Sequence, residues 1–529
     1  MSEPSGAGWA TGRPGGGRWG TTRVDERGRD GASRTVVAVA AALSMAATGC
    51  GPETPDSHGA SPVASRERVV QGVVLISLDT VRADRLGFLG YGRGNSPNMD
   101  GVARRSVVFS EARAQSTQTA PSHASLLTSE YAGAHGIVNV HDGESVAPVL
   151  PPGVVTLAEL LSENGVWTAA FVSGGNLTRT MDMDRGFGVW DERNEDISKR
   201  IDALLRWLEG VGGSPFLVML HSYQAHAPYV PPIAEAERFT DAKYRGELRE
   251  TYERYLALPA QEAWARGVGP DYWPPSMVNY SDADVRFLSD LYDGEISYLD
   301  SELRRLFEAV LLGPRANDTA MVVMSDHGEE FRDHGKFQHD QVFDELTSVP
   351  LMVYLGGDLE RQGWKGRVEA PVQLIDVAPT VAALLGVEWR DAGWSGRSLE
   401  AYLDPALRLS AIGVESPPGF SELVREHRTQ TYGSVTWRGW KYILHRQATN
   451  GRAWEHLFDL ENDPLEKHNL SDSTEVAVLK RLEVLRDLWQ SFEESNKAHA
   501  AELGQGSPSE LSDEQLLELR RLGYTGSPR

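Results

Sequence analysis

Residues Val69–Leu78 read VVQGVVLISL, and a carboxylate, Asp79, follows at once. A run this apolar and this rich in β-branched residues predicts a strand buried on both faces. Two later runs share the design. Phe216–Leu220, FLVML, leads into His221 and then His226, and Met321–Met324, MVVM, leads into Ser325, Asp326, His327 and Gly328. A fourth apolar run covers Val349–Leu355. Helical patterns lie between them: Val155–Glu163, Ile197–Leu208 and Phe287–Phe307, the last with Leu291, Ile296, Leu299, Leu303 and Leu306 on one face. Strands alternating with helices predict an α/β fold, a large mostly parallel sheet with helices on both faces. Ligands of such sheets bind at the carboxyl ends of the strands. Asp79, His226, Asp326 and His327 would all project there.

Thr117–Ser129, TQTAPSHASLLTS, brings a hydroxyl to the same edge. Pro121 suits the first position of a helix, where its missing N–H costs nothing. Thr119 is then expected just outside a helix N-terminus, where free N–H groups and the helix dipole favour an anion. Taken alone, a Thr-x-Pro is an ordinary helix cap, and an Asp after a strand caps the next helix. Taken together, Asp79, Asp326 and His327 around Thr119 form a sensible site for one hard-to-borderline divalent metal. Such a metal would lower the pKa of the Thr119 hydroxyl and hold an ester oxygen of a substrate.

Length and charge bound the remainder. A chain of 529 residues with 40% hydrophobic and 24% charged residues reads as globular. A formal net charge of −23 argues against a nucleic-acid partner. Residues 1–34 are rich in Gly, Arg, Ser and Thr, and Thr35–Gly49 is an apolar run of signal-peptide length. It ends in Ala47-Thr48-Gly49-Cys50, which resembles a bacterial lipobox with Ala47 where Leu is more usual. Residues 1–50 are therefore expected to be a signal peptide with a lipobox, and 51–66 a Pro/Gly/Ser-rich tether. Cys50 is the only cysteine, so the mature chain has no disulfide. The protein is expected to be exported and held at the cell-envelope membrane through a lipidated Cys50.

Ordered blocks then carry a family resemblance: LISLDTVRADRLGFLGYG from Leu75, TAPSHASLLTS from Thr119, HSYQAHAPYVPP from His221 and YDGEISYLD from Tyr292. MSDHGEEFRDHGKFQHDQVFDELTSVPLMV from Met324, QLIDVAPTVAALLGV from Gln373 and WKYILHRQATNGRAWEHLFDLENDPLEKHNL from Trp440 complete the set. In this order they resemble the sulfatase family of the alkaline phosphatase superfamily. The resemblance implies a catalytic domain over 67–390, and the Trp-rich stretch with its alternating YILH and HLFDL pattern suggests a smaller C-terminal antiparallel-sheet subdomain over 391–495. A tail with a short helix would cover 496–529. By position, Asp79, Asp326 and His327 match metal ligands, with Thr119 at the nucleophile position. His226 and His339 match residues that contact the transferred group or serve the leaving group. His ligation favours Mn2+ or Zn2+ over Ca2+ or Mg2+ in a permissive family.

The departures bear on the chemistry. The family nucleophile is a Cys or Ser that becomes formylglycine, and here it is Thr119. The family Arg is His123, the second of the paired aspartates is Thr80, and the usual Lys and His after the next strand are replaced in FVSGGNL, Phe171–Leu177. The expectation is a metal-dependent hydrolase of anionic sulfate or phosphate esters using Thr119. Phosphodiesters or phosphonate esters are favoured over sulfates. A surface phospho-group transferase and a metal-binding pseudoenzyme are the alternatives. Pro232–Asp284 reads as an insertion that either shapes the pocket or is a surface helical embellishment, and Val476–Phe492 and Leu511–Tyr524 as late helices.

Overall fold

The computed structural model describes residues 67–140, 144–256, 280–412, 415–425 and 429–522. The expected signal peptide, Cys50 and the tether lie outside the described residues, as do 257–279 of the insertion and the end of the tail helix.

The strands that lead into Asp79, His226 and Asp326 all sit in one nine-stranded sheet. Its order is Gly366–Val368, Val107–Arg113, Ser348–Tyr354, Thr319–Met324, Gly72–Leu78, Phe216–Ser222, Trp167–Phe171 and Val189–Asp191, with Val372–Gln373 also pairing with Val107–Arg113. All pairings are parallel except the two made by Ser348–Tyr354. The strand Gly72–Leu78 is central, in register with Phe216–Ser222 on one side and Thr319–Met324 on the other. Its alternate side chains feed two cores. Val73 and Leu75 pack with the helices Thr119–Thr128, Leu157–Glu163 and Val377–Leu384. Val74, Ile76 and Leu78 pack with Leu291, Ile296, Leu299, Leu303 and Leu306 of the long helix Asp282–Leu312. Local signals start these helices: Thr156 and Glu159 form a capping box, as do Ser281 and Asp284.

One helix starts earlier than expected. The Thr119–Thr128 helix begins at Thr119, after an extended Gln118, so Pro121 is its third residue and not its first. None of the first N–H groups of a helix has an intrahelical partner, so the ring is tolerated there as well. Thr119 is thus part of the first turn. The expected insertion contains the helices Ile233–Phe239 and Glu247–Leu256, and the tail contains Asp513–Arg521.

The second sheet is four-stranded and antiparallel, Gly419–Arg425, Gln430–Trp437, Trp440–Gln447 and Arg452–Asp459 in sequence order. The helix Val476–Leu503 lies on it through Leu482, Leu485, Trp489 and Phe492. No helix among the described residues is long and apolar enough to cross a membrane.

Candidate active site

The carboxyl ends of Gly72–Leu78 and Thr319–Met324 deliver Asp79, Asp326 and His327, all wholly buried. Thr80, next to Asp79, has φ of 60°, a left-handed conformation that a β-branched residue seldom adopts. The turn is held from both sides. The Thr80 N–H donates to Asp326 Oδ1 at 3.2 Å, and the Tyr292 hydroxyl donates to the Thr80 carbonyl at 2.8 Å. Gly328 permits the next close approach, since a Cβ there would lie 1.8 Å from the Glu345 carbonyl oxygen.

Ligand atoms of Asp79, Asp326 and His327 all fall within 4.8 Å of one another. His327 Nδ1 lies 3.0 Å from the Gly328 carbonyl oxygen. A carbonyl only accepts, so Nδ1 carries the hydrogen and Nε2 presents a lone pair. Nε2 faces Asp326 Oδ2 at 3.4 Å. Asp79 Oδ1, Asp326 Oδ2 and His327 Nε2 are buried without a hydrogen-bond partner. Burial pushes His327 down to about 3, so the ring is neutral. Burial pushes both carboxyls up; Asp79 raises Asp326 further, whereas hydrogen bonding from Asp326 and Thr119 draws Asp79 part of the way back. Three buried, unpartnered ligand atoms of this type converging on one point fit a divalent cation.

Thr119 stands beside them, its hydroxyl donating to Asp79 Oδ2 at 3.1 Å. The same oxygen accepts from His221 Nε2 at 3.1 Å, while His221 Nδ1 accepts from the Ser173 N–H. One oxygen of Asp79 is thereby fixed by two donors and the other is left for the cation. His221 is the site residue that the sequence reading passed over. Its signal was register: it lies opposite Ser77, two residues before Asp79.

His123 lies wholly buried one helical turn after Thr119. Its Nδ1 donates to the Thr119 carbonyl at 2.8 Å and its Nε2 accepts from Ser77 Oγ at 2.8 Å. Burial first, and His221 second, hold it neutral. Both nitrogens are occupied by the protein, so His123 ties the Thr119 backbone to the central strand.

His226 and His339 approach from the other side. His226 Nδ1 donates to the Ala227 carbonyl at 2.7 Å, so Nε2 points at His339 Nε2, 3.4 Å away, and the two share one hydrogen. Burial pushes His226 down to about 4. The His339 ring also lies 4.6 Å from that of His327, which joins the pair to the ligand cluster. All seven site residues named in the sequence reading are therefore neighbours. His334 and Lys336 turn instead to the small sheet, His334 onto Glu345 and the Glu466 carbonyl, and Lys336 onto the Tyr432 hydroxyl.

A family model for sulfatases matches residues 71–387. The chain belongs to the sulfatase family. Like other members of this family, it is a hydrolase acting on sulfuric or phosphoric ester bonds. Its relatives include the uncharacterized sulfatase YidJ of Escherichia coli (strain K12), 24% identical over 477 residues, covering 79% of this chain and 88% of that protein. The Delta 4,5-hexuronate-2-O-sulfatase of Bacteroides thetaiotaomicron is 24% identical over 422 residues, covering 75% and 84%. Among solved structures, the phosphonate monoester hydrolase of Agrobacterium radiobacter shares the sulfatase fold at a TM-score of 0.62 and 21% identity. It covers 84% of this chain and 100% of its own.

Proposed function

We propose that this sulfatase-family protein hydrolyses phosphodiesters or phosphonate esters in preference to sulfate esters, with Thr119 as nucleophile and one divalent metal. The observation that carries the reading is the Thr119 hydroxyl. It lies on the first turn of a buried helix, 3.1 Å from Asp79 Oδ2, beside three ligand atoms without hydrogen-bond partners. Asp79, Asp326 and His327 would hold the ion, Mn2+ or Zn2+ by ligand chemistry. When bound, it lowers the pKa of the hydroxyl beside it and draws charge from the ester oxygens.

The chain's own residues account for the other steps. The Thr119 hydroxyl passes its proton to Asp79 Oδ2, to which it already donates, as its oxygen attacks phosphorus in line and the bond to the leaving oxygen breaks. That proton returns to the Thr119 oxygen when water cleaves the threonyl ester. The dipole of the Thr119–Thr128 helix points its positive end at the developing charge. An anionic ester beside His226 and His339 favours one extra proton on that pair. The pair gives this proton to the leaving alcohol and recovers it from the water that cleaves the threonyl ester. Sulfate is disfavoured by the same residues. Thr119 does not present the gem-diol of a formylglycine, and His123 supplies no fixed positive charge.

The test is metal analysis of the purified protein beside para-nitrophenyl sulfate, para-nitrophenyl phosphate, bis(para-nitrophenyl) phosphate and a para-nitrophenyl phosphonate. The diester or the phosphonate is expected to show the highest kcat/KM. Fastest turnover of the sulfate would overturn the phospho-ester assignment.

The same reading keeps the protein outside the cytoplasm on acyl chains at Cys50. Radiolabelled palmitate is expected to enter the full-length chain and to be lost in Cys50→Ala. Equal labelling of both proteins would refute the anchor.

A further inference from the structure

His226 is carried on a loop, and the loop is held by a helix that contributes no residue to the chemistry. Glu295 lies in the middle of the long helix Asp282–Leu312 and is 2% exposed. Its two carboxyl oxygens accept from the two ends of the loop, Oε2 from Gln224 Nε2 at 2.7 Å and Oε1 from the Val230 N–H at 2.5 Å. His226 lies between those two anchors, and its own N–H donates to the Tyr223 carbonyl at 2.9 Å. The next loop residue, Pro231, rests directly on Gly294, where a Cβ would lie 2.8 Å from Pro231 Cγ. Tyr252 closes the far side by donating its hydroxyl to the Pro231 carbonyl at 2.9 Å.

The same helical turn reaches the other half of the site. The Tyr292 hydroxyl accepts from the Arg82 N–H at 2.9 Å and donates to the Thr80 carbonyl at 2.8 Å, fixing the turn that follows Asp79. Residues 292–295 thus refer the ligand turn and the His226 loop to one rigid element. A proton donor must stand within hydrogen-bond reach of the leaving oxygen, and an error of about 1 Å in such an alignment costs about 100-fold in rate.

We propose that Glu295 is the positioning residue that sets the His226–His339 pair against the leaving group. The proposal rests on the reading that this pair protonates the leaving alcohol. Glu295 touches neither substrate nor metal ligand. It acts through Gln224 and Val230.

The test compares phenyl and para-nitrophenyl esters of the acid group that the full-length enzyme hydrolyses fastest. Para-nitrophenolate leaves without a proton, whereas phenolate needs one. Glu295→Leu keeps the bulk and removes both acceptors. It is expected to lower kcat/KM about 100-fold on the phenyl ester and less than about threefold on the para-nitrophenyl ester. Glu295→Gln is expected to retain most activity on both. Its carboxamide oxygen still accepts from Val230, and the Gln224 amide can turn to accept from its NH2. General loosening of the fold would instead lower both esters alike, so equal losses, or no loss, overturn the proposal. Should Glu295→Leu not fold, Gln224→Met cuts one of the two anchors and is expected to show a selective loss of about tenfold. His226→Ala separates this idea from its parent. Selectivity in His226→Ala without selectivity in the Glu295 variant overturns the role of Glu295 alone. No selectivity in His226→Ala removes the leaving-group reading and this proposal with it.

Discussion

At Thr119 the backbone and the side chain have separate tasks. The carbonyl is tied to His123 and the hydroxyl to Asp79. His123→Phe keeps the ring, strands the Ser77 hydroxyl and removes the side-chain bond to the Thr119 carbonyl. Each unpaired buried group costs about 1–3 kcal/mol, so a drop of that order in urea-unfolding stability is expected. No change in stability would show that the two bonds do not hold the helix start. A different histidine contributes to the acid limb of stability. Burial pushes His135 down to about 3, with Ser125 Oγ and the Ile137 N–H on its nitrogens. Its folded pKa is below its unfolded value near 6.5, so the unfolded chain takes up the proton first. The stability contributed by this group is complete above pH about 6.5 and is lost as pH falls from there towards 3. In His135→Gln that loss disappears, and its stability deficit against wild type is expected to shrink by about 2 kcal/mol between pH 7 and pH 5. Parallel pH profiles would contradict it. The ligand residues were legible because carboxylates and imidazoles at strand ends have few other reasons to recur. His221 was not, because a polar residue inside a buried strand gives no pattern until the register with Ser77 is known.

At the level of elements, packing decides what periodicity leaves open. The apolar run at Val349–Leu355 reads like the parallel strands, yet it pairs antiparallel with both neighbours. Strand direction depends on how the connections run, and an apolar sequence does not encode it. The helix at Thr119 shows the same limit, since Pro121 is tolerated anywhere in the first turn and does not mark the first residue. The small sheet shows a feature that no pattern announces. Gly433 faces Trp489 so closely that a Cβ would lie 2.0 Å from its ring. Gly433→Val is therefore expected to cost about 1–3 kcal/mol by overpacking. Pairing it with Trp489→Leu is expected to recover part of that loss in thermal melts. Additive losses in the double variant would show that the two residues do not share the contact.

Across the whole molecule the large and small sheets are joined by buried charge. Lys441, wholly buried in the small sheet, contacts Asp344 at 2.7 Å and Glu466 at 3.1 Å, and Asp344 also takes Arg113 from the large sheet at 2.5 Å. Burial alone would push Asp344 up, but Arg113 and Lys441 hold it well below the usual carboxylate range. Lys441→Met leaves the carboxylates short of a cation and is expected to cost about 3–5 kcal/mol in urea unfolding. A cost under about 1 kcal/mol would mean that Arg113 alone satisfies the cluster. This junction places the short strand Phe337–Gln338, which leads into His339, beside the small sheet, with Lys336 on Tyr432. The edge that carries Thr119 is thus framed by both sheets. The central claim is tested most directly by the turnover of Thr119→Ala, measured at a metal content matched to wild type. A nucleophile at Thr119 requires kcat/KM to fall by at least about 10⁴-fold with the metal retained. Undiminished turnover in that variant would contradict the account.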